Sequence, residues 1–118
     1  MWSPGLELPA SELDRILAAV DTDDFADNVV HYYRHGAGEA PGAPIYRRTQ
    51  AVLDGWPTIG VPTTFLIGTA DGCETLALAR GNADYFTAGR DLVELDGVGH
   101  FVQREEPRAV ADAIVRLL

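Results

Sequence analysis

Cysteine is almost missing from this chain. Cys73 stands alone, so no disulfide can close within it, and export to an oxidising compartment gains no support. Positive charge is scarce as well: nine basic residues face eighteen acidic ones, for a formal net charge of −9, and nothing basic is clustered. That pattern argues against nucleic acid and against anionic membranes as partners, since both select basic patches. No stretch approaches the ~20 apolar residues of a membrane span. The opening Met1-Trp2-Ser3-Pro4-Gly5 lacks the basic-then-apolar order of a signal peptide, so a cytoplasmic location is expected. Serine is rare too, at Ser3 and Ser11 only, and neither lies in a G-x-S-x-G motif.

What is present is enough for one small domain. A length of 118 residues with 47% hydrophobic content can build a core and argues against wholesale disorder. Residues 1–10 are punctuated by Pro and Gly and read as a loop. Ser11, with Asp14 three residues on, has the spacing of a capping box, and Leu13, Ile16, Leu17 and Val20 then recur on one helical face. A second helix is expected after Thr22, with Asp23 and Asp24 at its positive end. It would carry Phe25, Val29, Tyr32 and Tyr33 inward and stop near Gly36. After the Gly/Pro-rich segment 36–44, a third helix is expected from about Ile45 to Leu53, ending at Asp54-Gly55.

The second half follows a different grammar. Val61-Pro62-Thr63-Thr64-Phe65-Leu66-Ile67 reads as a buried parallel strand that breaks at Gly68 and delivers Asp71. Glu74 to Arg80 suits a short crossover helix, ended by 81–84, with Tyr85 and Phe86 under the sheet. Arg90-Asp91-Leu92-Val93-Glu94-Leu95 reads as a second strand, breaking at Asp96-Gly97 and delivering His100. A last helix should open at Pro107, suited to a first helical position, with Val110, Ile114, Leu117 and Leu118 as its apolar stripe. An acid and a histidine therefore follow the C-terminal ends of two neighbouring strands, where open α/β sheets place their chemistry.

That order is the second half of the Ser…Asp…His order of α/β-hydrolases. The run from Val61 to Gly72 resembles the segment carrying the acid in that superfamily, and Gly97-Val98-Gly99-His100-Phe101-Val102-Gln103-Arg104-Glu105-Glu106-Pro107 resembles the one carrying the catalytic histidine. The resemblance is to the lidded branch that holds epoxide hydrolases, haloalkane dehalogenases and related esterases, and it is most specific over residues 58–118. It implies an α/β fold: a helical lid remnant at 1–57, then the C-terminal β-α-β-α unit of the hydrolase core at 58–118, with two parallel strands. His100 would then be the general base and Asp71 the acid that fixes its tautomer.

Each assignment has a plainer competitor. Asp71-Gly72 could simply cap a strand as a turn, and Asp96 competes as the acid although it sits in the turn before the histidine. Cys73 could serve as a thiol nucleophile or merely fill space. His31 and His35 lie i, i+4 and could hold zinc, but Tyr32 stands where H-E-x-x-H has its Glu, and no third ligand is apparent. A polar helix face is the simpler account. In epoxide hydrolases, lid tyrosines donate to the epoxide oxygen; the resemblance makes Tyr33, or else Tyr32, a candidate for that substrate-binding role, against ordinary packing of aromatics. Glu105 and Glu106 would favour the N-terminus of the last helix.

The nucleophile elbow and the oxyanion segment of the family are missing from these residues. The expectation is a hydrolase carrying the acid and histidine of a triad, inactive by itself and needing no metal or cofactor. Its substrate, if completed by an N-terminal portion, would be a small apolar ester or epoxide. The alternative is a non-catalytic truncated hydrolase acting as a binding or association module. Either way the strand at Val61–Ile67 has an open edge, an invitation to self-association or to the missing part.

Overall fold

The ladder of the sheet begins where proline permits it. In this computed structural model, which describes residues 1–118, strand β1 spans Thr63–Gly68 and pairs in parallel with β2, Arg90–Leu95, in the register Thr63 to Arg90 through Gly68 to Leu95. Val61 and Pro62, expected inside the strand, stay outside it, and Val61 is 62% exposed. Pro62 has no N–H to give to a ladder and its φ is fixed, so the first contributing amide is that of Thr63, which donates to the Gly89 carbonyl at 3.3 Å. The bounds of β2 match the expectation. Upstream, Ile59 bridges Phe86 in parallel, extending the same pairing by one isolated step.

The chain divides into two units, Leu8–Trp56 and a second formed by Pro57–Leu118 together with Met1–Glu7. The boundary falls one residue from the 57/58 division read in the sequence, but residues 1–7 group with the later unit and not with the helices that follow them.

In the first unit, α1 is Ala10–Val20, α2 is Phe25–Gly36 and α3 is Arg47–Leu53, the last preceded by a single 3-10 turn at Pro44–Tyr46. Ser11 does not cap α1. Pro9 occupies the cap position in an extended conformation, and its carbonyl takes the amides of Glu12 and Leu13, so Ser11 lies inside the first turn. At the start of α2, Asp24 accepts from the Thr22 hydroxyl (2.9 Å) and the Asn28 amide (3.1 Å), and those two bonds hold its carboxyl below the usual range. Tyr32 and Tyr33 are exposed, contrary to the inward packing expected of them, and none of the three helices buries a residue fully. α1 and α2 each have one apolar stripe, and much of each stripe is left open.

The second unit holds the core. Between the strands, α4 (Leu76–Gly81) is capped by Thr75, whose hydroxyl accepts the Leu78 amide at 3.2 Å. After β2 come a short α5, Val102–Glu105, and α6, Pro107–Leu117, both lying against β1. Pro107 opens α6 as expected. The stripe of Ile114, Leu117 and Leu118 is exposed, and the residue α6 buries is Ala113. A methyl lets a helix approach a sheet closely where a longer side chain would hold it off. Ile67, Ala79, Val98 and Ala113 are the buried hydrophobic residues, a small core in which no large side chain is fully enclosed.

Candidate active site

Because Gly68 and Leu95 are the last register pair, the chain leaves both strands at the same level. Two loops then run side by side and are stitched together. The Thr69 amide donates to the Leu95 carbonyl (2.9 Å) and the Ala70 amide to the Val98 carbonyl (2.9 Å). The Thr69 hydroxyl donates to Asp96 Oδ1 (3.2 Å) and accepts from the Gly97 amide (2.8 Å). Asp96 is thereby committed to the turn and its carboxylate is not bonded to the histidine. Gly97 adopts φ +72°, a left-handed conformation that a β-carbon would oppose.

These loops bring Asp71 and His100 together. The Nδ1 of His100 lies 3.0 Å from Asp71 Oδ2 and 3.2 Å from Oδ1. The Asp71 side chain is only 5% exposed and that of His100 29%, so the acid is shielded while the ring keeps an open side. Asp71 makes two sets of contacts at once: Oδ1 also accepts the turn amides of Cys73 (2.7 Å) and Glu74 (2.9 Å), while Oδ2 faces the imidazole. Burial pushes the Asp71 carboxyl up, but the amides of Glu74 and Cys73 and the His100 ring outweigh it and hold the group below its ordinary value near 3.8. A carboxylate at Nδ1 makes that nitrogen the donor and leaves the Nε2 lone pair free to take a proton.

Several partners in this arrangement could not be found from sequence spacing. Glu105, assigned to a helix end above, accepts the Gly99 amide on Oε2 at 2.9 Å, leaving its buried Oε1 without a hydrogen-bond partner. Ser3 and Trp2 also reach the histidine loop: the Phe101 amide donates to Ser3 Oγ (3.1 Å) and the His100 amide to the Trp2 carbonyl (3.0 Å). Nothing local in the sequence signals such pairings. Cys73 is exposed and free, and its amide serves the Asp71 turn.

The remaining candidates lie in the helical unit. Tyr33 is 63% exposed and touches Tyr32 edge-on. The rings of His31 and His35 stack at 6.1 Å. His35 spends both nitrogens within the unit, Nδ1 on the Ala40 carbonyl (3.0 Å) and Nε2 on Gln50 Oε1 (3.2 Å). The Gln50 amide is oriented by donating to Asp54 at 2.7 Å. The Ala40 bond first, then that to Gln50, raises the His35 pKa above its usual 6.5. A ring so engaged has no lone pair to offer zinc, and no group of three or more metal-ligating side chains exists.

No helix is long and apolar enough to cross a membrane. The family described as "Alpha/beta hydrolase family" matches residues 2–113. Among curated proteins, Epoxide hydrolase A of Mycobacterium tuberculosis (strain ATCC 25618 / H37Rv) is 36% identical over 61 residues, which is 52% of this chain and 19% of that protein. The chain thus matches only about a fifth of the length of that relative. No solved structure gives a significant match. With parallel strands, an acid and a histidine at their C-terminal ends, and a match over nearly its whole length, the chain belongs to the alpha/beta hydrolase family.

Proposed function

We propose that Asp71 and His100 are the acid and base of a hydrolytic triad of the epoxide-hydrolase or esterase type, whose nucleophile lies outside these 118 residues. The observation that carries this is the 3.0 Å contact from His100 Nδ1 to the shielded Asp71 carboxylate. Asp71 fixes the ring with its hydrogen on Nδ1. His100 Nε2 then takes the proton of a serine hydroxyl, or of the water that hydrolyses an ester formed on an aspartate. The resulting imidazolium is stabilised by Asp71 until the proton passes to the leaving group.

A serine at the elbow would give ester hydrolysis; an aspartate would give epoxide opening, the activity in the name of the mycobacterial relative. The substrate would be small and apolar, and for an epoxide the Tyr33 hydroxyl is the candidate donor to its oxygen. The nucleophile-bearing part would add its strand along the open edge of β1. Without a nucleophile and oxyanion donors, most of the rate enhancement is lost, so these residues alone should not turn over. The missing elbow equally favours a second role, a non-catalytic association module.

Intact mass and hydrolysis of the protein purified from its source decide between them. Expected is a species more than twice the 12.7 kDa of these residues that hydrolyses styrene oxide or a p-nitrophenyl ester. His100→Gln should lower its rate by about 10²- to 10⁴-fold, the usual worth of general acid–base catalysis. A 12.7 kDa species without hydrolysis would overturn the hydrolytic role, and a chain co-purifying with that species would support the association module.

A further inference from the structure

We propose that the segment Met1–Gly5 is a clamp that positions His100 against Asp71, with Trp2 and Ser3 as its positioning residues; this rests on the acid–histidine pair proposed above. One carbonyl joins the two loops. Trp2 C=O accepts the amide of Gly72, the residue after the acid, at 3.1 Å, and the amide of His100 itself at 3.0 Å. A carbonyl has two lone pairs, and both are spent on holding together the backbones that carry the pair.

Ser3 completes the grip. It is 6% exposed, the one polar residue buried in the chain, and its Oγ accepts the Phe101 amide at 3.1 Å. The consecutive amides of His100 and Phe101 thus both end on this segment. Burying a hydroxyl is unfavourable unless it is bonded, so Ser3 has a defined place only with the histidine loop against it. The loop is shaped for the contact: a β-carbon on Gly99 would run into Ser3 Cα, so glycine is needed there for close approach and not for an unusual φ.

The side chains act on the imidazole directly. The indole of Trp2 meets the His100 ring edge-on at 5.2 Å, and the Phe101 ring meets it at 5.4 Å and 75°. Trp2 and Phe101 also touch each other, at 6.4 Å. Two aromatic neighbours restrict the rotation of a ring that is otherwise held only through Nδ1. Asp71 bonds this loop through the ring, and Glu105 bonds it through the Gly99 amide. Asp71 holds the ring at Nδ1 alone, and Trp2 and Phe101 add the restraint on its rotation.

The test is side-chain nitrogen NMR on the whole 118-residue chain, reading the His100 tautomer and the exchange rate of its Nδ1 hydrogen. Trp2→Ala keeps the backbone carbonyl but removes the ring contact, so it should speed that exchange by up to about tenfold, the upper worth of an aromatic pair, and mix the tautomers, while Trp2→Phe should restore both. Ser3→Ala should speed exchange of the Phe101 amide about tenfold, and Ser3→Thr should rescue it, which keeps the clamp testable if Trp2→Ala does not fold. Unchanged exchange in Trp2→Ala, or in Ser3→Ala where the former is unfolded, would overturn the clamp. Asp71→Asn separates the two levels. A tautomer that ignores Asp71→Asn would refute the acid–histidine pair itself, whereas one that responds to Asp71→Asn but to neither segment variant would refute only the clamp.

Discussion

Replacing Asp71 by Asn changes one atom and tests the site at its centre. Asn keeps an acceptor oxygen for the Cys73 and Glu74 amides, so the turn that Asp71 holds should persist. What changes is the atom 3.0 Å from His100 Nδ1, where a carboxylate oxygen gives way to an N–H donor. Two donors cannot face each other at that distance, and the oxygen that remains, 3.2 Å from Nδ1, is already taken by the two turn amides, so the neutral ring should move its hydrogen to Nε2. That closes the lone pair that would take a proton. For the protonated ring the loss is electrostatic. Charge centres ~4 Å apart attract by about 4 kcal/mol at an effective dielectric of 20 and about 1 kcal/mol in water. The His100 ring is partly exposed, which places the value between these limits and discounts it toward the lower one. For the proposed triad that would be roughly a 5- to 1000-fold loss of rate before the wrong tautomer is counted. Nitrogen chemical shifts of the His100 ring, recorded where it is neutral, read the tautomer directly. If the hydrogen stays on Nδ1 in Asp71→Asn, the carboxylate is not what orients this ring.

Further outcomes follow from the same contacts. The Asp71 carboxyl is held low in the folded chain, so it contributes stability that is fully present above its ordinary value near 3.8 and is lost as pH falls through the lower folded value. Urea denaturation from pH 6 to 2 should therefore show the parent's advantage over Asp71→Asn shrink only below about pH 4; an advantage that persisted at pH 2 would contradict the sign. Ile67→Ala removes the largest side chain of a small core and should cost about 2–5 kcal/mol, much of the stability of a domain this size, so loss of near-ultraviolet dichroism at 25 °C is expected. The His35 ring should titrate above 6.5 by proton NMR, and Gln50→Leu should bring its midpoint down. Because that pKa is raised by folding, its contribution is complete below pH 6.5 and fades as pH rises through the folded value. A midpoint indifferent to Gln50→Leu would show that the ring does not use that amide.

The acid and the histidine were legible because their signals are local. Each sits a few residues past a short apolar run, and β2 begins and ends where its sequence does. β1 starts two residues later than hydrophobicity suggests, since hydrophobicity continues through Val61-Pro62 while the supply of amides does not. Helix positions follow from the sequence apart from the short α5, and their inward faces do not. Tyr32 and Tyr33 fall on a helical stripe but meet no covering layer, and in α6 the sheet selects Ala113 over the larger Ile114 beside it. Least legible were the contacts that finish the site. Ser3 and Phe101 are 98 positions apart, and Thr69 meets Asp96 across 27; no periodicity encodes such pairs.

The way the pair is built explains why it can form in a chain that lacks a nucleophile motif. Its geometry depends on a two-stranded register, on two loops stitched through Thr69, Asp96, Ala70 and Val98, and on the segment at Trp2-Ser3. All of these belong to one unit, and none requires a serine elbow or an oxyanion donor. In the proposed triad, the base and its acid would be set by these neighbouring strand ends, and the nucleophile would come from another part of the protein. Orientation of an imidazole can precede, and be measured without, any reaction it supports. An intact tautomer beside absent turnover would therefore locate the deficit in the nucleophile and oxyanion donors and leave the base in working order.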